Sequence, residues 1–401
     1  MRYAIPLVVV CASILTAASA AAQSYTVYPL EPYIPSGSPT SFIPLGFDMN
    51  NAAQIVLGRL FWDRSSQART LPIPDGPVNK VHINNAGVIA GTRELGPGRS
   101  ELFTIENGTY IVRPLPLGHP WLYELTDNNR ALVYDRATST SWIVDASGME
   151  QVAEFTSDMN ESGVVAEGTS LRFPSGRRVQ LWSEPWPIHE IGASGHAVGG
   201  DRRDSTVIYA RPDGVTRQYR FDGFNARAAF FGMWSHMNRG GEALISMQAV
   251  GLFFRQSINF LYRDGPIIDL NGVMQEKGWI VCETAAINDL GAIVAVAFRS
   301  EQGSGCRAVL LYPDPPLAPQ EFVANVSART VTLTWTGGAD VRGHILEVGS
   351  APRASNLLRM SLGEQRSFSA PAPPGRYYVR LRAVNGVATS APSAELIVDV
   401  Q

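Results

Sequence analysis

The chain has 401 residues, of which 17% are charged and 45% hydrophobic, and its formal net charge is −3. That length exceeds a usual single domain, and 37 Gly with 27 Pro favour many short strands and turns over helices. Basic residues do not collect into a stripe, which argues against a nucleic-acid-binding protein.

The first 22 residues predict a secretory signal peptide. A short basic start, Met1-Arg2-Tyr3, is followed by an apolar run to Ala17, and the small residues Ala20, Ala21 and Ala22 suit a cleavage site. A lipid anchor on Cys11 is disfavoured because Val10 precedes it. Beyond the signal, no apolar run is long enough to span a bilayer. We therefore expect a secreted or periplasmic protein without a membrane span.

One short pattern recurs between residues 24 and 313: an apolar residue, Asn or Asp, two variable residues, Gly, and an aliphatic run. Asn or Asp accepts a hydrogen bond from a backbone amide at a turn, and Gly adopts the positive φ that a tight turn requires. The pattern therefore predicts a hairpin in each copy. The Asn or equivalent residues of the seven copies are Asn50, Asn84, Asp127, Asn160, Gly192, Asn238 and Asn288.

Each copy holds about four short strands within intervals of 32 to 50 residues. Four strands in a unit of about 40 residues are typical of a propeller blade. A β-helix coil would be shorter, and separate sandwich domains would need ~100 residues each. The prediction is an all-β chain with an about seven-bladed β-propeller at residues 24–313.

The seventh copy resembles the bacterial extracellular repeats of the HAF type. It contains residues 269–271 (DLN), Gly278-Trp279, residues 286–294 (AINDLGAIV) and residues 308–313 (AVLLYP). The resemblance extends from Tyr25 to Pro313 and implies a propeller-like fold. It carries over no catalytic residues.

The last unit of the repeat region lacks an outer strand. Residues 24–30 (SYTVYPL) form an extended segment that precedes the first full unit. We expect this segment to complete the last blade, because joining the first strand to the last removes exposed sheet edges.

Two cysteines remain after the signal peptide, Cys282 and Cys306, and they flank the seventh turn. In an oxidising compartment such an isolated pair is expected to form a disulfide. A metal pair and free thiols are the alternatives, and both are disfavoured because no His is nearby.

A Pro-rich linker at residues 314–319 separates the repeats from a second domain at residues 320–401. Residues 330–335 (TVTLTW) alternate cleanly, and residues 375–386 (GRYYVRLRAVNG) contain another strand. This region resembles a fibronectin type III domain, with Trp335 as the core tryptophan and Tyr378 as the tyrosine of the sixth strand. The resemblance implies an immunoglobulin-like β-sandwich.

Candidate catalytic groups are not distinguishable by spacing, so no catalytic, metal-binding or cofactor-binding residue is assigned. His189-Glu190 lacks the second His of a zinc motif, and the turn at Asp158 lacks the Glu of a calcium loop. The other histidines are interpreted as turn or surface residues: His82, His119, His196, His236 and His344. The carboxylates that could converge in a channel are Asp127, Asp158, Asp201, Asp204 and Asp264.

Tryptophans provide one further group of candidates. Trp121 and Trp182 occupy positions typical of an inter-blade core, whereas Trp186 and Trp234 are candidates for a ligand-binding face. The leading hypothesis is an exported, non-enzymatic binding or surface-interaction protein for an extracellular carbohydrate or protein. The alternative is a polysaccharide-active hydrolase or lyase that uses carboxylates in the propeller channel.

Overall fold

The computed structural model describes residues 24–30, 47–63, 68–153, 156–201, 206–220, 230–250, 255–262, 267–275, 277–299, 306–337 and 341–401. The expected signal peptide, Asp204 and Asp264 lie outside these residues. The chain divides into two compact units, Tyr25–Pro313 and Asp314–Gln401, which are described separately.

The first unit contains seven four-stranded antiparallel sheets among its described residues. The N-terminal strand is β1 (Tyr25–Pro29). Blade 1 comprises β2 (Phe47–Met49), β3 (Ile55–Leu57), β4 (Leu60–Trp62) and β5 (Arg69–Thr70); blade 2 comprises β6 (Val78–Ile83), β7 (Ile89–Gly96), β8 (Arg99–Glu106) and β9 (Thr109–Arg113); blade 3 comprises β10 (Pro120–Leu125), β11 (Ala131–Asp135), β12 (Thr140–Asp145) and β13 (Gly148–Val152).

The remaining sheets follow the same order along the chain. Blade 4 comprises β14 (Thr156–Met159), β15 (Val165–Glu167), β16 (Ser170–Arg172) and β17 (Arg178–Gln180); blade 5 comprises β18 (Ile188–Ile191), β19 (Ala197–Asp201), β20 (Thr206–Ala210) and β21 (Thr216–Arg220); blade 6 comprises β22 (Phe230–Met237), β23 (Ala243–Val250), β24 (Arg255–Tyr262) and β25 (Ile267–Asp269), after which comes α1 (Leu270–Gln275); blade 7 contains β26 (Trp279–Ile287), β27 (Ile293–Arg299) and β28 (Arg307–Pro313).

The first strands of the blades form a closed ring. Each contacts the first strand of the next blade, from β2 through β6, β10, β14, β18 and β22 to β26, and β26 contacts β2 again. Seven sheets arranged in this way are a seven-bladed propeller, which confirms the predicted fold class.

A buried apolar cluster lies at every junction between neighbouring blades. One cluster joins Leu132 and Ile143 of blade 3 to Val165 of blade 4, and another joins Tyr209 of blade 5 to Met247 of blade 6. Each buried aliphatic side chain contributes about 1.5–3 kcal/mol, so the seven junctions supply most of the driving force for the ring.

The N-terminal strand closes the ring as predicted. Strand β1 pairs antiparallel with β28, so Tyr25 lies opposite Pro313 and Pro29 opposite Val309. Tyr25 is fully buried in the junction between blades 6 and 7, and Leu30 is buried in the junction between blades 7 and 1. The predicted disulfide between Cys282 and Cys306 is also present within blade 7.

The predicted hairpins follow the first strands, with one correction. In blade 4 the Gly163 amide donates to the Asn160 carbonyl oxygen at 2.9 Å, and Gly163 has a φ of +74°. In blade 3 the equivalent of Asn160 is Thr126, and not Asp127 as the sequence pattern predicted. The Asn129 amide donates to the Thr126 carbonyl oxygen at 3.1 Å, and Asn129 adopts the positive φ.

The second unit is a two-sheet sandwich. One sheet contains β29 (Gln320–Ser327), β30 (Thr330–Thr336) and β33 (Ser367–Pro371); the other has β32 (Leu358–Gly363), β31 (Gly343–Gly349), β34 (Gly375–Val384) and β35 (Leu396–Val400) in that order. Trp335 is buried in its core, as predicted. The core tyrosine of β34 is Tyr377, and not Tyr378, because Tyr377 lies on the same strand face as the buried Val379 and Leu381.

Deletion of residues 24–30 tests the closure of the ring. The deletion removes the buried Tyr25 and Leu30 and exposes the edge of β28, so we expect the free energy of unfolding to fall by about 3–6 kcal/mol. Urea denaturation followed by tryptophan fluorescence measures the loss. Addition of a peptide with the sequence of residues 24–30 should restore part of it. A truncated protein with the urea midpoint of the full chain would contradict closure by this strand.

Candidate functional site

The site lies around the propeller axis, where the seven first strands end in hairpins. Two repeated positions determine its chemistry. We call the residues that follow the first turn position the rim: Asn51, Asn85, Asp127, Glu161, Ala193, Arg239 and Asp289. We call the residues two positions before the first turn position the inner column: Asp48, His82, Glu124, Asp158, Glu190, His236 and Ala286.

Buried asparagines at the first turn position connect the blades. Each Asn side chain accepts hydrogen bonds within its own turn, as Asn160 Oδ1 does from the Ser162 and Val164 amides at 3.0 and 3.1 Å. Its Nδ2 group donates to the backbone carbonyl of the next blade. These donations run from Asn50 to Asn84, Asn84 to Thr126, Asn160 to Gly192, Asn238 to Asn288, and Asn288 to Asn50.

Blade 5 departs from this arrangement for a steric reason. A Cβ atom at Gly192 would lie 2.8 Å from the Asn238 carbonyl oxygen, so a side chain at this position would collide with the backbone of blade 6. A backbone hydrogen bond from the Ser194 amide to the Arg239 carbonyl, at 3.1 Å, connects these two blades instead. The weak fifth copy of the sequence pattern therefore has a structural cause.

Arg239 extends across the rim. Its guanidinium contacts Asp127, lies 3.0 Å from Glu161 Oε1, and has its Nε atom 3.5 Å from Asp289 Oδ2. These three carboxylates belong to blades 3, 4 and 7, whereas Arg239 belongs to blade 6. The rim therefore contains three carboxylates around one guanidinium.

A cavity of about 130 Å³ lies between the rim and the inner column. It has room for about four water molecules at liquid density. The turn residues and four inner-column carboxyl groups line it, namely those of Asp48, Glu124, Asp158 and Glu190.

Two of these four carboxyl groups connect blades. Asp48 Oδ2 accepts a hydrogen bond from the Ile83 amide of blade 2 at 2.9 Å, and its other oxygen accepts from the Met49 amide at 2.8 Å. Asp158 has the same role between blades 4 and 5, where the Ile191 amide donates to its Oδ2 at 2.6 Å. Both side chains thus satisfy buried backbone donors.

The other two carboxyl groups, of Glu124 and Glu190, make no hydrogen bonds among the described residues. Burial raises the pKa of each well above the usual value for Glu, and the nearby Asp158 raises it further. The Glu190 side chain lines the cavity, is 28% exposed, and has its Oε1 atom 3.9 Å from His236 Nδ1. Burial also raises the pKa of Asp158, to about 6, although its backbone hydrogen bonds oppose this shift.

The two histidines of the inner column add no positive charge at neutral pH. Burial, and secondarily Lys80, lower the pKa of His82 and lower that of His236 to about 4. Lys80 donates a hydrogen bond to the Tyr123 carbonyl at 2.7 Å. His82 Nδ1 lies 3.2 Å from Asp48 Oδ2, and its Nε2 atom has no hydrogen-bond partner of acceptable geometry.

The interpretation of all five isolated histidines as turn or surface residues is therefore wrong for His82. It is wrong for His344 as well, which is fully buried in the second unit. Within the described parts of the chain, no three His, Cys, Asp or Glu side chains converge as metal ligands.

Only two of the five carboxylates that the sequence suggested for the channel are found at the cavity. Asp127 lies on the rim and Asp158 in the inner column, and both line the cavity. The backbone of Asp201 lies at the end of β19, but its side chain is outside the described part of the structure, as are Asp204 and Asp264 entirely.

Neither tryptophan proposed for a ligand face is described as lining the cavity. Trp186 packs against the cluster between blades 4 and 5, and its carbonyl accepts a hydrogen bond from Trp182 Nε1 at 2.7 Å. Trp182 is buried, as predicted, and Trp121 packs beneath the Arg136 guanidinium at 4.2 Å. Trp234 belongs to β22, but its side chain is outside the described part, so the ligand-face role of both residues stays a prediction.

The sequence interpretation missed Asp48, Glu124, Glu190 and Arg239. An alignment of the seven copies on the turn residue would have found them, since the inner column then contains four carboxyl groups and two histidines. Such an alignment needs the corrected position in blade 3.

No protein-family model and no curated protein match the chain. Among solved structures, a streptogramin B lyase is 13% identical, covering 72% of this chain and 98% of that chain, with a TM-score of 0.44. Virginiamycin B lyase from Staphylococcus aureus is 10% identical, with the same coverages and a TM-score of 0.45. A human fibronectin type III domain is 20% identical, covering 20% of this chain and 71% of that domain, with a TM-score of 0.18. The fold assignment rests on the sheet order described above.

Asn160→Ala tests the contribution of the buried asparagines. The substitution leaves the buried Val164 amide and the partly buried Ser162 amide without partners and removes one of the two donors to the Gly192 carbonyl. We therefore expect a loss of about 2–4 kcal/mol in the free energy of unfolding. Chemical denaturation measures it. The control is Gln151→Ala, an exposed amide on β13, which should change stability by less than about 0.5 kcal/mol. Equal effects of the two substitutions would show that the asparagines do not connect the blades.

The pH dependence of the stability of Glu124→Gln tests the burial of the two carboxyl groups that accept no hydrogen bond from the described residues. A carboxyl group whose pKa is raised on folding costs no stability below its unfolded pKa, and the cost grows as pH rises above that value. The usual Glu value is 4.5. The variant should therefore match the wild type in melting temperature at pH 4 and exceed it at pH 8. The control is Glu150→Gln, on the exposed side of the same blade, for which we expect no such trend. A variant that is less stable than the wild type at pH 8 would contradict the raised pKa.

Proposed function

We propose that the chain is an exported binding protein whose propeller takes a small polar ligand, or a terminal group of a larger extracellular molecule, into the axial cavity. The ligand is bound without chemical change. The observation that carries the proposal is the pair Glu124 and Glu190, two carboxyl groups that line the cavity without hydrogen-bond partners among the described residues.

Burial of a carboxyl group without a partner is costly, and native structures seldom retain such groups without a role. Asp48 and Asp158 have a structural role, because each satisfies two backbone amides. Glu124 and Glu190 have no equivalent one. A ligand that donates hydrogen bonds to them would compensate for the cost of their burial.

The volume of the cavity limits what can enter it. At about 130 Å³ it is similar in size to an engineered cavity of ~150 Å³ that admits benzene. An extended polymer therefore cannot enter. A free small molecule, a terminal sugar or a single side chain can.

Export is part of the proposal. It is supported by the signal-like first 22 residues and by the disulfide in blade 7, since disulfides persist in oxidising compartments. None of the helices in the described residues is long and apolar enough to cross a membrane. We further propose that the blades are HAF-type repeats, that the linker at residues 314–319 precedes a fibronectin-like spacer or adhesion module, and that Trp186 and Trp234 contribute to the ligand face.

A hydrolase is the second candidate. Asp158 has a pKa raised to about 6 and lies near two carboxyl groups whose pKa values are raised further, and such groups exchange protons at neutral pH. Glu124 or Glu190 would be the acid and Asp158 the carboxylate. A lyase is less suited, because elimination next to a carboxylate requires a cation for the developing charge, and three carboxylates already surround Arg239.

One screen distinguishes these candidates. A library of sugars, amino acids, amines and short glycans is tested against the wild type and Glu124→Gln/Glu190→Gln by thermal shift, and each hit is incubated and analysed by mass spectrometry. We expect at least one ligand that binds the wild type, loses tenfold or more in affinity in the double variant, and is recovered unchanged. Recovery of a cleaved product would favour the hydrolase. If the double variant retains the affinity of every ligand, the axial site is wrong.

A further inference from the structure

We infer that the ligand of the axial site is an organic cation, carried by a primary ammonium or guanidinium group, and that it enters by displacing Arg239 from the rim. The inference rests on the proposed function and specifies the chemistry of its ligand.

The rim is the first part of the argument. Asp127, Glu161 and Asp289 surround Arg239, so three formal negative charges face one positive charge and leave a net charge of −2 at the mouth. Such a mouth attracts cations and repels anions before any contact forms. An anionic ligand would also have to bind beside three carboxylates.

The charges inside the cavity also favour a cation over an anion. The titratable groups that face the inner column are Asp48, Lys80, His82, Glu124, Asp158, Glu190 and His236. Burial keeps both histidines neutral at pH 7, which leaves Lys80 as the single cation among four carboxyl groups. A cation that enters the cavity favours the ionised form of Glu124 and Glu190, whose pKa values burial raises, and is attracted by the carboxylates so formed. It meets only one positive charge inside the cavity.

Hydrogen bonding also favours a cation. An ammonium or guanidinium group consists of donors alone, and carboxylates consist of acceptors alone. Glu124 and Glu190 line the cavity without hydrogen-bond partners among the described residues, and Glu190 Oε1 lies 3.9 Å from the neutral His236.

Arg239 shows how the rim holds a cation, because its own guanidinium occupies it. The side chain is 37% exposed, so water screens its ion pairs and weakens each of them. A cation from solution can then compete for the same carboxylates. Arg239 acts as a tethered competitor. The apparent affinity for the ligand is the intrinsic affinity multiplied by the fraction of molecules in which Arg239 has left the mouth.

Isothermal titration calorimetry at pH 7.5 tests the inference with four small probes: n-butylammonium, methylguanidinium, n-butanol and butyrate. We expect the two cations to bind at least tenfold more tightly than n-butanol, with no binding of butyrate. Glu124→Gln/Glu190→Gln should weaken cation binding at least tenfold. Arg239→Ala should strengthen it at least fivefold. The matched control Glu150→Gln should leave it unchanged, and melting curves verify that each variant is folded.

Two peptides distinguish the sources of the cation. A capped pentapeptide with one central lysine is compared with its norleucine counterpart. Tighter binding of the lysine peptide than of n-butylammonium would assign the cation to a protein side chain, and binding of n-butylammonium alone would assign it to a free amine. Both outcomes support the inference.

Three results would overturn it: n-butanol that binds as tightly as n-butylammonium, cation binding that the double variant retains, or no binding of either cation. The axial site would survive if a neutral sugar bound and lost tenfold in the double variant. Both proposals would fail if no compound of the wider screen bound in a manner that depends on Glu124 and Glu190.

Discussion

The propeller depends on a hydrogen bond that is repeated around its axis, from the side-chain amide of a turn asparagine to the backbone carbonyl of the next blade. The same asparagine also closes its own turn through Oδ1, so one residue determines both the local hairpin and the connection to its neighbour. The bond from Asn288 to Asn50 joins the last blade to the first. These groups are buried, so each lost bond would leave an unsatisfied polar atom, and the ring tolerates few exceptions.

This constraint also explains why the polar chemistry gathers at the axis. Side chains alternate along a strand, so a turn residue fixed near the axis brings the residue two positions earlier to the same face. Seven blades place seven such residues around one narrow channel. Four of them are carboxylic acids, which are forced together by the geometry of the ring. Burial raises the pKa of three of them, and repulsion from neighbouring carboxylates raises the pKa values of Glu124 and Glu190 further.

The fold was predictable from the sequence because its signals are local: a turn pattern, four strands in each repeat, an unpaired N-terminal segment and two cysteines in one blade. The site was not, because its residues are distant in sequence and become neighbours only through the correct alignment of the repeats. Placement of Asp127 at the turn makes Leu125 the inner-column residue of blade 3, whereas the observed Thr126 makes it Glu124. A one-residue error thus replaced an acid by an apolar residue and concealed the column. The same kind of error exchanged Tyr378 for Tyr377 in the second unit.

Side-chain length separates the structural acids of the inner column from those available to a ligand. Asp48 and Asp158 are short, so their carboxylates remain near the strand and accept the amides of Ile83 and Ile191 in the following blades. Glu124 and Glu190 have one more methylene group, and among the described residues their carboxyl groups accept no backbone amide. The aspartates thus stabilise the ring in which the glutamates are buried. This stability permits two acids that have no hydrogen-bond partner in the described part of the chain to persist at its centre. Loss of an inner-column aspartate should therefore affect folding first, and loss of a glutamate should affect binding first.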